Sequence, residues 1–430
     1  MFVTMTGRRR PTFPRPYKLL TSAAAAGALL ITGCGALPGA TGGSREPVTV
    51  MTWAPGGGTG PDAVNMAGMT AMARTYARWA NDNGGLAGHE LRVVTCDEQD
   101  TSIGAANCAR LAIKQKAVAV VGSYSRHGTA FMPPLEGAGI PYIGGYGASD
   151  EEFSSYISFP VNGGQPALLA GNARQLSRSC ERVSVVRPDT LAGDGQAWLL
   201  KTGLTEAGRP APADIRAPES ATSYDEAAAP ALQAAGASDG CVTAVLGKRT
   251  ETFFDSFRRL EPSYGNVRIS SVLGSVDQPL IDSTGGRNSP FEGAYITGWY
   301  PDAGDARWDA MRNVIRKHAF GDNRIDPDDT GVQTTWIAYT VLKEIVESVD
   351  SAQITSWKLT SALNQGTPAE TGGLTPVLRW GFTDVLGSSS YPRIVNTRVT
   401  YQVVRDGRLV ADRKGFMDVS KTLSDASARS

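Results

Sequence analysis

The sequence predicts an α/β protein made of two doubly wound, parallel-sheet lobes. Three observations carry this. Short apolar runs alternate with stretches of helical period, the pattern of βαβ units and hence of a parallel sheet. The series breaks off and starts again near residue 165. The chain has 430 residues, more than one ordinary domain and suited to two lobes of about 150–200 residues each. Hydrophobic residues make up 41% and charged residues 20%, so a packed core is feasible. The 42 Lys+Arg balance 42 Asp+Glu, which argues against a nucleic-acid binder. Three histidines leave little material for a metal site.

The first 33 residues read as a signal peptide. Arg8, Arg9, Arg10, Arg15 and Lys18 precede an apolar stretch over residues 19–33, too short for a spanning helix. The stretch ends in Leu30-Ile31-Thr32-Gly33-Cys34, which resembles a bacterial lipobox with Cys34 as the lipidated residue and new N-terminus. Several acyl chains anchor stably where one is marginal. A plain signal peptide with an unrelated cysteine is the alternative. Arg9-Arg10 also suggests twin-arginine export, although the residues after it fit poorly. With these five basic residues removed, 37 basic residues face 42 acidic ones. Residues 34–46 then form a small-residue tether.

The elements follow in order. Residues 48–53 form a strand, and residues 62–83 a helix with Met66, Met69, Ala73, Tyr76 and Ala80 on one face. Gly84-Gly85 stops that helix. Strands at 91–95, 117–121 and 140–144 surround a helix at 103–114. The second series has strands at 182–187, 242–246, 267–273 and 294–297, with helices at 166–177, 196–206, 225–235 and 252–260. Helices at 305–320, 331–348 and 357–363 come next. A hairpin over 395–410 turns at Asp406-Gly407.

Beyond Cys34, four cysteines remain: Cys96, Cys108, Cys180 and Cys241. An even number in an oxidising compartment suggests two disulfides with three possible connectivities. Spacing favours Cys96–Cys108 and Cys180–Cys241; free buried thiols are the alternative.

Several segments resemble the type I periplasmic binding proteins of the leucine/isoleucine/valine-binding kind, the substrate receptors of ABC importers. They are Gly60-Pro61, Asn83-Gly84-Gly85-Leu86-Ala87-Gly88, the strand closing on Cys96-Asp97, the run from Ala117 to Ser123, and Gly139-Ile140-Pro141. Gly298-Trp299-Tyr300-Pro301 and Val403-Val404-Arg405-Asp406-Gly407 complete the set, so the resemblance spans about residues 47–420. It implies two lobes joined by a hinge of three crossovers, with the ligand between them. By position, the crossovers fall at residues 162–164, 300–302 and 375–381. Lobe 1 then holds 47–161 plus 302–376, and lobe 2 holds 165–299 plus 380–425.

In open α/β sheets ligands bind beyond the carboxyl ends of the strands. The first such loop holds Gly58 and Thr59; it lacks the Lys-Ser/Thr of a phosphate loop. The second holds Ser123, Ser125 and Arg126, of which the serines match the hydroxyls that grip an amino-acid carboxylate in the family. Arg126 and His127 depart from the family pattern. The third holds Tyr146, Gly147 and Ala148; Tyr146 reads as a lid or as a core aromatic. On lobe 2 the loops offer Gly193, Lys248, Arg249 and Asp277. The family's aromatic wall is missing at Ala192-Gly193, and Asp277 is the nearest acid for an ammonium group. Lys248 and Arg249 are either ligand contacts or solvated loop charges.

The expected function is capture of a small polar ligand, amino-acid-like or anionic, and its delivery to an ABC permease. A sensing receptor without transport is the alternative. Neither H-E-x-x-H nor G-x-S-x-G occurs, and the acid run Asp326–Asp329 sits where it would cap a helix, so no catalytic residues, cofactor or metal are expected. The expected partners are the small ligand, permease subunits and the membrane through its lipid anchor. The protein is expected to be a monomer.

Overall fold

A computed structural model describes residues 45–57, 64–236, 239–261 and 267–427. Cys34 and the tether lie outside the described residues. The chain opens with β1 (Val48–Trp53), α1 (Ala67–Asp82), β2 (Leu91–Cys96), α2 (Ser102–Lys114) and β3 (Ala119–Val121). It continues with α3 (Gly128–Ala138), β4 (Tyr142–Ile143), α4 (Glu151–Ser154) and β5 (Ser158–Phe159). These strands form an all-parallel sheet in the order β2-β1-β3-β4-β5. The stop after α1 is chemical: Gly85 has φ +79° and its N–H closes on the Ala80 carbonyl at 2.8 Å. A Cβ there would meet the His89 carbonyl oxygen at 2.1 Å, so only glycine fits.

The chain then enters the second lobe with α5 (Gly164–Leu176), β6 (Arg182–Pro188), α6 (Leu191–Glu206), β7 (Ala213–Ala217), α7 (Asp225–Ala235) and β8 (Gly240–Ala244). Next come α8 (Thr250–Leu260), β9 (Arg268–Val272), α9 (Gln278–Ser283) and β10 (Tyr295–Gly298). It returns to pack α10 (Asp309–His318), α11 (Thr330–Val349) and α12 (Ser356–Asn364) on the first lobe, α10 and α11 lying against α1. Finally β11 (Arg398–Arg405), β12 (Arg408–Asp418) and α13 (Ser420–Ser427) join the second lobe. Its sheet runs β12-β11-β10-β9-β8-β6-β7, parallel except for the antiparallel β11 and β12.

The sequence expectation missed several elements. α3 contains Pro133 and Pro134, which read as breakers. β5 is two residues long, too short for a periodic signal, whereas β4 falls inside the strand expected at 140–144. β7 is a half-exposed edge strand without an apolar run.

Three passages join the lobes, and they are stitched together. Asn162 donates to the Tyr300 hydroxyl at 3.1 Å, and Gly164 N–H donates to Asn162 Oδ1 at 2.9 Å. Thr400 Oγ1 donates to the Tyr300 carbonyl at 2.7 Å, and Asn396 donates to the Val161 carbonyl at 3.0 Å. The third passage lies later than the expected 375–381. Trp380 donates to the Pro160 carbonyl and packs on Phe159, and Arg393 donates to the Ser158 carbonyl. Trp380 and Arg393 thus hold this stretch to the first lobe, while Ser388 between them bonds to Ser427 of α13 on the second.

Both disulfides of the favoured pairing are present. Cys96–Cys108 ties the end of β2 to α2, with Cα atoms 5.7 Å apart. Cys180–Cys241 ties the residue range before β6 to its neighbour β8, at 5.8 Å. Each bridge stays within one lobe.

Candidate ligand-binding cleft

The carboxyl ends of the two sheets meet at a cavity of about 530 Å³, within the range of small-molecule sites. The first lobe contributes Val64, Met66, Tyr124, Arg126 and the loop Tyr146 to Ala148. The second contributes Gln165, Leu168, Pro188, Gln196, Glu219, Ser220, residues 245–249, residues 273–275 and Trp299.

The loop after β3 shows how the wall is made. Gly122, at φ +58°, turns the chain out of the sheet. Successive side chains then point opposite ways. Ser123 and Ser125 are fully buried and face inward; Tyr124 and Arg126 face the cavity. Ser123 Oγ accepts the Trp53 N–H at 3.1 Å, and Ser125 Oγ accepts the His127 N–H at 3.1 Å. The expected hydroxyl grip is thus committed to holding the loop, and the two serines are off the cavity wall. Arg126 is paired, Nε to Asp100 Oδ1 at 3.1 Å and Nη2 to Asp100 Oδ2 at 2.5 Å, and this pairing raises its pKa. Its half-exposed guanidinium also feels Glu219 across the cleft.

The loop after β4 is held by a buried carboxyl. Glu152 accepts the N–H groups of Gly147 at 3.0 Å, Ala148 at 2.9 Å and Ser149 at 3.1 Å. Gly147 and Ala148 line the cavity, but their N–H groups are taken. Burial pushes the Glu152 pKa up to about 7, against the opposing pull of these hydrogen bonds. Tyr146 spans the gap. It packs on Tyr124 (5.2 Å between centroids) and edge-on against Trp299 (5.3 Å). A Cβ added at Gly274, on the other lobe, would lie 3.1 Å from its hydroxyl oxygen. The aromatic wall expected at Ala192 is therefore supplied by Tyr124, Tyr146 and Trp299.

On the second lobe, Lys248 and Arg249 line the cavity in the turn before α8. Burial lowers the Lys248 pKa; Asp100 raises it and Arg126 lowers it further, which places Lys248 opposite that ion pair. Gly193 is off the wall: its N–H donates to the Thr190 hydroxyl that caps α6. Asp277 is off the wall too, and caps α9 by accepting the Leu280 N–H at 3.1 Å. Gly58 and Thr59 lie outside the described residues.

Sequence reasoning missed Met66, Leu168, Gln196, Glu219 and Trp299 as wall residues. Trp299 stood in the quoted Gly-Trp-Tyr-Pro segment at the end of β10, where strand-end position alone marks it. The others sit on helices or in irregular loops that carry no motif. Among the described residues, no group of His, Cys, Asp and Glu is arranged to hold a metal ion, and no helix is long and apolar enough to cross a membrane.

Two parallel-sheet lobes with a lined cavity at their facing strand ends define a two-lobed solute-binding protein. The sequence profile described as periplasmic binding protein matches residues 56–384, and the chain belongs to that family. The family is one of extracytoplasmic binding proteins and not of enzymes. No curated protein matches the chain. Among solved structures it is similar to a branched-chain amino acid ABC transporter protein from Thermus thermophilus with bound valine: TM-score 0.68, 15% identity, 88% of this chain and 98% of that one covered. It is also similar to the leucine-binding protein LivK from Thermotoga maritima (TM-score 0.65, 17% identity, 86% and 99% covered). A solute-binding protein from R. palustris in complex with benzoate gives TM-score 0.64 at 15% identity, with 86% and 96% covered.

Proposed function

We propose that this protein is a lipid-anchored solute receptor that captures a small, anionic molecule between its lobes and delivers it to an ABC permease. The observation that carries this is cationic residues on both walls of one cavity: Arg126 from the first lobe, Lys248 and Arg249 from the second. Charge-assisted hydrogen bonds from both sides reward closure on an anion. Cys34 would hold the receptor at the outer face of the membrane, with residues 34–46 as tether. Mass spectrometry of the solute released on denaturation tests the capture; release of a cation or of no solute from protein purified without refolding counts against it. Cys34→Ala is expected to abolish acylation and move the protein from membrane to soluble fraction. Unchanged membrane retention would remove the anchor.

A further inference from the structure

A second cavity, of about 300 Å³, lies at the hinge and shares no lining residue with the cleft. Thr400 and Gln402 line it, and both side chains donate to the Tyr300 carbonyl, at 2.7 and 3.0 Å. One wall is the stretch from Pro301 to Arg307, which leads into α10 on the first lobe. The other is β12, the edge strand of the second lobe's sheet. The sequence makes room there. Val399 pairs with Met417 and Tyr401 with Arg413, so Lys414, Gly415 and Phe416 face the single residue Thr400. A bulge of this kind bends an edge strand and re-aims its side chains. Gly415 supplies the turn at φ +82°.

The two walls carry opposite charge. On the first, Arg307 is spent on Asp305, Nε to Oδ1 at 2.9 Å and Nη2 to Oδ2 at 2.7 Å. Asp302 is left as the acid of that wall. It is half-buried and accepts the Gly304 N–H at 3.2 Å. Burial raises its pKa and Asp305 adds to that, against the pull of the Gly304 N–H and of Arg307. A cation in the cavity would therefore favour its charged form. On the second wall, Arg413 and Lys414 are exposed and have no ion pair or hydrogen bond among the described residues. Asp412, beside them in sequence, does not line the cavity. Pro301 and Phe416 add apolar surface. We infer that this cavity is a second binding site, taking a small zwitterion: its ammonium group lies at Asp302, its carboxylate at Arg413 and Lys414, and its short apolar body on Pro301 and Phe416. A simple anion or a simple cation would leave one wall unmet. The site stands on this geometry and not on what the cleft binds.

L-photo-methionine, a zwitterion with a diazirine in an unbranched side chain, tests this by photolabelling of the mature protein and residue-level mass spectrometry. Label is expected on residues 301–305 or 414–417. Three competitors share its carbon skeleton: L-norleucine, hexanoate without the ammonium group, and pentan-1-amine without the carboxylate. An excess of L-norleucine is expected to lower this label about tenfold or more, and equal amounts of the other two to leave it. Asp302→Asn and, separately, Arg413→Gln with Lys414→Gln are expected to lower it as far. The second pair changes exposed side chains only, and circular dichroism reports that both folds persist. Label confined to the cleft, or absent from residues 301–305 and 414–417, would overturn the assignment. Label there that survives both variants would overturn it as well, and so would equal suppression by hexanoate or by pentan-1-amine. The receptor reading fails separately, if native protein releases no solute on denaturation.

Discussion

Glu98 is fully buried at the end of β2, and neither carboxyl oxygen meets a hydrogen-bond partner of full geometry among the described residues. Burial pushes its pKa to about 7; the nearby Ser125 hydroxyl offsets part of that, and Asp100 adds to it. Asp329 also rises to about 7, from burial and from Asp277. Carboxyls that keep their protons in the fold but ionise near pH 4 in the unfolded chain make the fold bind more protons between those values. Their stabilisation is present below the ordinary carboxylate range and is lost as pH rises toward 7. The melting temperature is therefore expected to fall between about pH 4.5 and 8. Glu98→Gln removes the ionisation and keeps the shape, so it is expected to stabilise the protein at pH 8 by on the order of 1 kcal/mol and to do little at pH 4.5. Equal effects at both values, read from melts, would show that Glu98 does not titrate in this range. The residue scale is also where the sequence was hardest to read. Residues 123–126 were placed correctly at a strand end, but the side of the loop that each residue faces depends on how Gly122 turns the chain. A serine is equally at home as ligand donor or as loop brace. Lys248 and Arg249 reached the wall because they occupy a turn that directly precedes a helix.

The elements legible in advance were those with long periods or clean apolar runs, such as α1, β1, α11 and the β11–β12 hairpin. Those lost included the two-residue β5 and a helix carrying a Pro-Pro pair, where local propensity opposes what the tertiary packing enforces. The disulfides belong to this scale, since each fastens two elements. Cys180–Cys241 closes a separation of 61 residues and Cys96–Cys108 one of 12. Cys180→Ala with Cys241→Ala is expected to cost roughly 3–4 kcal/mol and the shorter pair roughly 2–3, because longer loops lose more entropy when closed. Urea melts of the two double variants check the order; a larger loss from the shorter loop would mean that strain or packing outweighs loop entropy here.

At the scale of the molecule, the three passages around Asn162, Tyr300 and Asn396 share hydrogen bonds and form one buried knot, the expected pivot of the lobes. Neither disulfide crosses it. Ligand contacts on both walls would bias that pivot toward closure. Small-angle scattering is expected to show a smaller radius of gyration at saturating ligand. An unchanged radius would mean that the cleft binds without lobe rotation.

The order of the bridges along the chain has a consequence for how the protein is made. If the chain is exported unfolded and N-terminus first, it presents Cys96, then Cys108, then Cys180, then Cys241. The native pairs join the first to the second and the third to the fourth. A catalyst that oxidises each thiol with the next one to emerge would then produce the native bonds directly, provided Cys34 carries the proposed lipid and is withdrawn from the pool. Secretion of the intact fold should then depend on a thiol oxidase and be indifferent to a disulfide isomerase. Leaving Cys34 unmodified introduces an odd thiol ahead of all the others, so cells with the lipidation step blocked are expected to accumulate mispaired species, visible as extra bands on non-reducing gels.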